Sequence, residues 1–210
     1  YYDHPPVIPW MSAAGILVDA PVETVFSTVT DFDHYSEFIP MTKQGKAEKV
    51  SPELFRVTYD IQVDMIFLKY GMQYGVYHYH RAPYRTDWAH AWGEFNINVG
   101  FWELVPTSDG KRTMAFYCVH SQPRSKFLQM LYSREPILEI LTNVMTATMV
   151  VRAVKTEAEK RFQSAGGKCP PEVKARPIFE LLADDPATMK RFLERGKLLV
   201  LAEGPTVYVT

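Results

Sequence analysis

Two histidines, His78 and His80, stand two residues apart in the run Tyr77-His78-Tyr79-His80. On a strand, a period of two puts both imidazoles on one face and both tyrosines on the other. Such a pair can hold a metal, work as an acid–base couple, or hydrogen-bond a ligand's hydroxyl or carbonyl. No third ligand or carboxylate follows at a matching spacing. That leaves the hydrogen-bonding role and a plain structural one. A second group lies just downstream: Trp88, His90, Trp92, Glu94 and Asn96 alternate with Ala89, Ala91, Gly93, Phe95 and Ile97. One face is a polar and aromatic wall. The other, with its small residues, leaves room for a bulky ligand. Spacing does not choose which points inward. Acid–base catalysis would need a positioned base and a donor. Tyr59, Tyr74, His78, Arg81 and Glu94 are of suitable types, but they make no triad and no carboxylate pair. Cys118 and Cys169 are the two cysteines. With no C-x-x-C and no Cys/His cluster, they read as free thiols, and no zinc or other cofactor is expected.

These side chains must be placed by a domain of adequate size. The chain has 210 residues, 47% hydrophobic, with 12 Tyr, 12 Phe and 4 Trp. That is enough for a sizeable core. The formal net charge of −1 argues against nucleic acid as a partner, since phosphates need a basic face. No apolar run approaches the ~18 residues of a membrane span, and no signal peptide is evident. The chain opens Tyr-Tyr-Asp rather than with Met, so a preceding piece is expected. The compartment, cytoplasm or periplasm, is left open.

Residues 1–14 carry Pro5, Pro6 and Pro9 and read as an extended segment. Gly15 to Asp19 reads as a strand. Pro21 then opens a helix whose Val22, Val25, Phe26 and Val29 form one apolar stripe. Asp31-Phe32-Asp33 breaks it, and a short turn with Tyr35, Phe38 and Ile39 stops at Pro40. Residues 43–50 read as a polar edge strand. From Leu54 to Met65 the alternation is strict, with Phe55, Val57, Tyr59, Ile61, Val63 and Met65 apolar. It fails at Met65-Ile66-Phe67-Leu68 and resumes from Tyr70 to Arg81. Further strands are expected over 86–99, 101–105 and 112–121, with Thr107-Ser108-Asp109-Gly110 as a hairpin turn. Glu135-Pro136 opens a helix of about 30 residues, roughly 45 Å long, that Gly166-Gly167 closes. Ile137, Leu138, Ile140, Leu141, Val144, Met145, Thr148, Met149 and Val151 give its first half a wide apolar arc. Arg152 falls inside this arc, where it would pair with an anionic headgroup or snorkel to water. Residues 168–210 form an extension too small to fold alone, so it should dock on the domain of residues 15–167. A helix opened by Asp185-Pro186 and strands at Leu198 to Leu201 and Thr206 to Val209 are expected there.

The order strand, two short helices, antiparallel strands and long C-terminal helix resembles the helix-grip fold of the START and birch-allergen-like superfamily. The run VDAPVETVFSTVTDFDHYSEFIP is similar to the opening signature of the branch of coenzyme Q-binding proteins and polyketide cyclases. FWELVPTSDGKRTMAFY resembles that branch's Trp-x-Leu-x-Pro, Asp-Gly, strand pattern. The likeness covers about residues 12–165. It implies an α+β fold in which a curved antiparallel sheet wraps a long C-terminal helix, with an apolar cavity between them. Its implied function is binding and transport of a lipid or other hydrophobic molecule such as a sterol, a quinone or an acyl lipid. The alternative is a polyketide aromatase/cyclase using the same cavity. The residues expected to line the cavity are Phe55, Val57, Tyr59, Ile61, Tyr74, His78, Trp88, Trp92, Phe95 and Phe116 from the sheet. From the helix come Leu141, Val144, Met145, Thr148 and Met149. Ile66, Phe67, Leu68, Phe127 and Leu131 would rim its mouth, where a membrane would be met transiently during loading. Trp102 reads as core.

Overall fold

The computed structural model describes residues 11–65, 68–168, 199–201 and 207–209, with side chains described for 11–62 and 71–168. The expected helix after Asp185-Pro186, residues 1–10 of the segment expected to be extended, Cys169 and the side chains of Ile66, Phe67 and Leu68 lie outside the described residues. Strand β1 (Ser12–Val18) leads into α1 (Val22–Val29), a 3-10 turn (Phe32–His34) and α2 (Tyr35–Phe38). Then come β2 (Thr42–Lys49), β3 (Leu54–Met65), β4 (Leu68–Arg81), β5 (Arg85–Gly93), β6 (Phe95–Pro106) and β7 (Thr113–Pro123). Helices α3 (Lys126–Arg134) and α4 (Pro136–Ser164) follow, and the short β8 (Leu199–Leu201) and β9 (Val207–Val209) come last. The strands form one antiparallel sheet in the order β2-β3-β4-β5-β6-β7-β1-β9-β8.

The sheet curves because its ladders are interrupted. Register shifts occur at Thr42/Gln44 in β2, opposite Gly75/Val76 in β5, and at Phe95/Ile97 in β6. Each such bulge bends and twists a strand. Along the concave side, α4 packs on β1 and β7 through Ala147, Val151, Val154 and Ala158, all essentially inaccessible. Val25 and Val29 of α1 complete this core, as the apolar stripe required.

The break after α1 is held by its own polar residues. The Tyr35 hydroxyl donates to the Val29 carbonyl, and Asp33 accepts from the Ala47 amide at 2.8 Å. Asp31 pairs with His34 at 2.7 Å and with Arg161 of α4 at 2.8 Å. This seats Phe32 inside the sheet, 4.4 Å from the His78 ring and 5.9 Å from the His80 ring.

One expected boundary is corrected. The strand read over 86–99 is a hairpin that turns at Gly93-Glu94. Gly93 has φ +107°, which L side chains rarely adopt. Gly100, which reads as the break, instead lies mid-strand: a Cβ there would sit 2.2 Å from the Trp88 ring and 2.2 Å from the Cys118 carbonyl oxygen. Glycine at 100 is a socket for an indole, not a turn. The segment holding Phe127 and Leu131 is also a helix in its own right, α3, capped by Ser125.

Candidate functional site

Pairing fixes which side chains share the concave face. Phe55, Val57, Tyr59 and Ile61 on β3 stand opposite His78, Val76, Tyr74 and Met72 on β4. His78 in turn faces Trp88 on β5, and Val76 faces His90. On β6 and β7 the buried Asn98, Trp102, Leu104, Ala115 and Val119 continue the wall, with Tyr117 opposite Trp102. The rings touch in series. Tyr59 and Tyr74 lie 5.2 Å apart, Tyr74 meets Phe95 edge-on at 4.8 Å, and Trp88 stacks on Tyr117 at 5.1 Å. From α4, Val144 is buried and Thr148 and Met149 are half-buried.

Trp92 and Phe116 are not on this face. Ala91 is the extra residue of the β5 bulge, since Val76 pairs with His90 and Gly75 with Trp92. The parity reverses there, so Trp92 lies over Gly75 on the convex side, 44% exposed. Phe116 alternates with the inward Ala115 and Tyr117 and lies over Gly15, where a Cβ would come within 2.9 Å of its ring. The same alternation leaves Tyr77 and Tyr79 exposed, the opposite side from His78 and His80. Arg81 pairs with Asp87 in the open, and Glu94 is exposed in the turn. Arg152 is exposed. Asn98 is the residue that spacing misses. Phe95 faces inward, and a bulge at Asn96 moves the next inward position from 97 to 98.

The polar groups of the wall are largely engaged with one another. His78 Nε2 lies 3.4 Å from the Tyr59 hydroxyl, and its Nδ1 lies 3.3 Å from Thr86 Oγ1. Burial, and secondarily the neighbouring His80, push the His78 pKa down to about 3. His80 and His90 are also lowered by burial. The imidazoles are therefore neutral at pH 7. Trp88 donates to Asn98 Oδ1 at 3.0 Å. Among the described residues of the inner sheet face and α4, His80 Nε2, His90 Nδ1 and Thr148 Oγ1 are buried without a hydrogen-bond partner. A buried polar atom left unpaired costs free energy that a ligand could recover. Among the described residues no three His, Cys, Asp or Glu side chains converge as a metal site. The Cys118 thiol lies on the outer side of β7, and burial pushes its pKa up to about 12.

The Gly93-Glu94 turn meets the end of β7, tied by the Arg124 amide donating to the Glu94 carbonyl, and α3 and α4 follow directly in the chain. No residue of α3 is buried. Phe127, Met130, Ile137, Ile140, Leu141 and Met145 are exposed, Met145 by 60%. Leu131 is half-buried. An 18-residue window of α4 reaches a mean hydropathy of 1.5, long and apolar enough for a membrane span, yet only 28% of it is buried. The expectation that no apolar run approaches that length missed this stretch, because Glu139 and Arg152 bound its unbroken apolar part.

The comparisons with known proteins agree with this geometry. The structure is similar to the Zhui aromatase/cyclase of Streptomyces sp. R1128, with TM-score 0.57 and 16% identity over 76% of this chain and 100% of that one. It is similar to a START superfamily protein of Mycobacterium smegmatis, with TM-score 0.58 and 17% identity over 72% of this chain and 98% of that one. It is also similar to a STAR-related lipid transfer protein of Xanthomonas axonopodis, with TM-score 0.52 and 13% identity over 74% and 89%. At these identities the likeness is one of fold: an α+β helix-grip sheet closed on a long C-terminal helix. No curated protein sequence matches the chain. The family model for polyketide cyclase / dehydrase and lipid transport matches residues 18–149, and the chain belongs to that family.

Proposed function

We propose that the protein binds a hydrophobic small molecule, such as a sterol, quinone or acyl lipid, between the concave sheet and α4. It then carries that molecule through water. One observation carries the reading: the first half of α4 is apolar enough for a core or a bilayer, yet it is mostly unburied. Such surface left in water is unfavourable by roughly 25 cal/mol per Å² of apolar area. A ligand seated against it recovers that energy. Exposed apolar patches of this kind mark a binding site or an interaction surface.

The aromatase/cyclase alternative draws less support. A cyclase needs a base with a free lone pair. Of the residue types suited to that work, Tyr59, Tyr74 and His78 share the concave face, whereas Arg81 and Glu94 do not. His78 has both ring nitrogens engaged and its basicity suppressed, and the imidazoles with an unpartnered nitrogen, His80 and His90, are also made less basic by burial. The deciding measurement is native mass spectrometry of the purified protein beside titration with an apolar fluorescent probe. Stoichiometric probe binding, reversed by a competing lipid, is the expected result. Probe binding absent at saturating concentration would refute the carrier reading. Turnover of a linear polyketide thioester would favour the cyclase.

A further inference from the structure

We propose that the outward face of α3 is a docking surface for a bilayer with anionic headgroups. It rests on the carrier reading above for its purpose, naming the membrane at which a ligand would be exchanged, and the two can fail separately.

The helical period sorts α3 into two faces. Its exposed residues are Lys126, Phe127, Met130, Ser133 and Arg134. Met130 stands three or four residues from each of the others, so all five share one face. The half-buried residues are Leu128, Gln129, Leu131 and Tyr132. This second face is the one held to the fold. The Tyr132 hydroxyl donates to Thr142 Oγ1 of α4 at 3.4 Å, and Gln129 donates back to the Pro123 carbonyl at 3.2 Å. A helix lying on a domain in water ordinarily turns its polar side outward. The outward side of α3 instead carries Phe127 and Met130, 55% and 46% exposed. Ile137, Ile140 and Leu141, exposed on the α4 that follows, add to the apolar surface.

Charge says what this surface meets. Between Arg112 and Glu135 the chain holds Arg124, Lys126 and Arg134 and no Asp or Glu. All three cations are exposed, and among the described residues none is in an ion pair. The nearest carboxylates in sequence are Glu135, in the turn beyond α3, and Glu139. Glu139 is half-buried, lies on the other side of α4 from Leu141, and acts on His120. An apolar face fringed by Lys and Arg suits a helix lying in the plane of a membrane interface, its apolar side chains among the acyl chains and its cations at the phosphates. The long stems of Lys126 and Arg134 let their charges stay at headgroup level while Phe127 and Met130 sit deeper. A second copy on this face would set like cations against one another across a two-fold contact. An anionic bilayer meets both the apolar and the charged part.

The test mixes the full chain with vesicles of phosphatidylcholine alone, or of phosphatidylcholine with a third phosphatidylglycerol, and reads bound protein by co-sedimentation. Binding is expected on the anionic vesicles, and it should fall as salt screens the exposed charges. Each cation near such a surface is worth about fivefold in binding, so Lys126→Gln with Arg134→Gln should weaken it on the order of twentyfold. Both positions are exposed, so this variant should melt with the wild type and still take up an apolar fluorescent probe in the absence of vesicles. Met130→Ser removes an apolar anchor without touching charge, and should weaken binding while leaving its salt dependence intact. No binding to the anionic vesicles, equal binding to the two kinds, or unchanged binding in the double variant would overturn the docking surface. So would self-association without vesicles that Met130→Ser abolishes, which would make the face a contact between copies. If the vesicles bind as expected but the probe does not, the carrier reading fails and the docking surface stands.

Discussion

His78 shows what burial does to a titratable side chain. It is 5% exposed, ringed by Phe32 and Trp88, and its pKa falls to about 3 from an ordinary 6.5. In the unfolded chain it takes up a proton as the pH drops through 6.5, whereas in the folded chain it does not. The unfolded state therefore binds more protons between those limits, and stability falls as pH falls. One such group contributes a slope of about 1.4 kcal/mol per pH unit. His80 and His90 act in the same direction. Urea denaturation at pH 6 and pH 5 should show the protein less stable at pH 5. His78→Gln, which cannot charge, should flatten that difference by close to one proton's worth. An unchanged slope in the variant would mean that His78 is not the group being held neutral. The carboxylates do not interfere here. Asp31 and Glu157 have lowered pKa values, so the stability they contribute is lost only at more acid pH.

At the scale of elements, the device to explain is the break between α1 and α2. It presses Phe32 onto the His78 and His80 rings, and it is anchored to α4 through Asp31, Arg161 and Glu157. These ion pairs are partly exposed and worth little singly, on the order of 0.2–1 kcal/mol. The closer constraint is steric. Gly45 of β2 passes directly beneath the break, and a Cβ on it would lie 2.0 Å from the Phe32 carbonyl oxygen. Backbone cannot give way as a flexible side chain can. Gly45→Ala should therefore lower stability by about 1–3 kcal/mol, as overpacking does. Chemical denaturation reads this directly. A change below about 0.5 kcal/mol would show that the break slides freely over β2. The same contact explains why α4 is unequal along its length. Its second half is held by this clamp and by Lys155 bonding the Leu17 carbonyl at 2.8 Å. Its first half has Asn143 bonded to Ser121 at 2.9 Å, beside a run of uncovered apolar residues.

For the whole molecule, the consequence is an exposed apolar rim on α3 and the first half of α4. Phe127 and Met145 are 55% and 60% exposed, so replacing them removes little packing. Phe127→Asp together with Met145→Lys should leave the melting curve within the scatter of surface substitutions, about ±0.5 kcal/mol. If the rim meets a bilayer during loading, as amphipathic helices do, the same change should slow ligand exchange with liposomes severalfold. Unaltered exchange with unaltered melting would remove the rim from the transfer step. A large drop in melting temperature would show instead that these side chains are packed under a part of the chain outside the described residues.

What the sequence determined by itself was local. The Val22, Val25 and Val29 stripe, the Asp31-Phe32-Asp33 break, the strict alternation from Leu54 to Met65, and the Pro-to-Gly span of α4 each express a period of 3.6 or 2 that needs no partner. The likeness of residues 18–40 and 101–117 to a family then gave the architecture. Facing was legible wherever alternation ran unbroken, which is why Phe55, Val57, Tyr59, Ile61, Tyr74, His78 and Trp88 share one wall. It failed at Trp92, and at the pairing of Phe95 with Asn98 on one face, because a bulge inserts one residue and reverses the side chains that follow it. Whether a strand bulges depends on the strand beside it. Gly100 is the same case: glycine reads as a turn until the Trp88 ring is seen lying across it. The unburied first half of α4 was likewise beyond the sequence, since periodicity shows which side chains are apolar and not whether anything covers them. That was decided when α4 docked on β1 and β7 through one narrow stripe, from Asn143 and Ala147 to Ala158, and left the rest of its first half's apolar arc exposed or half-buried.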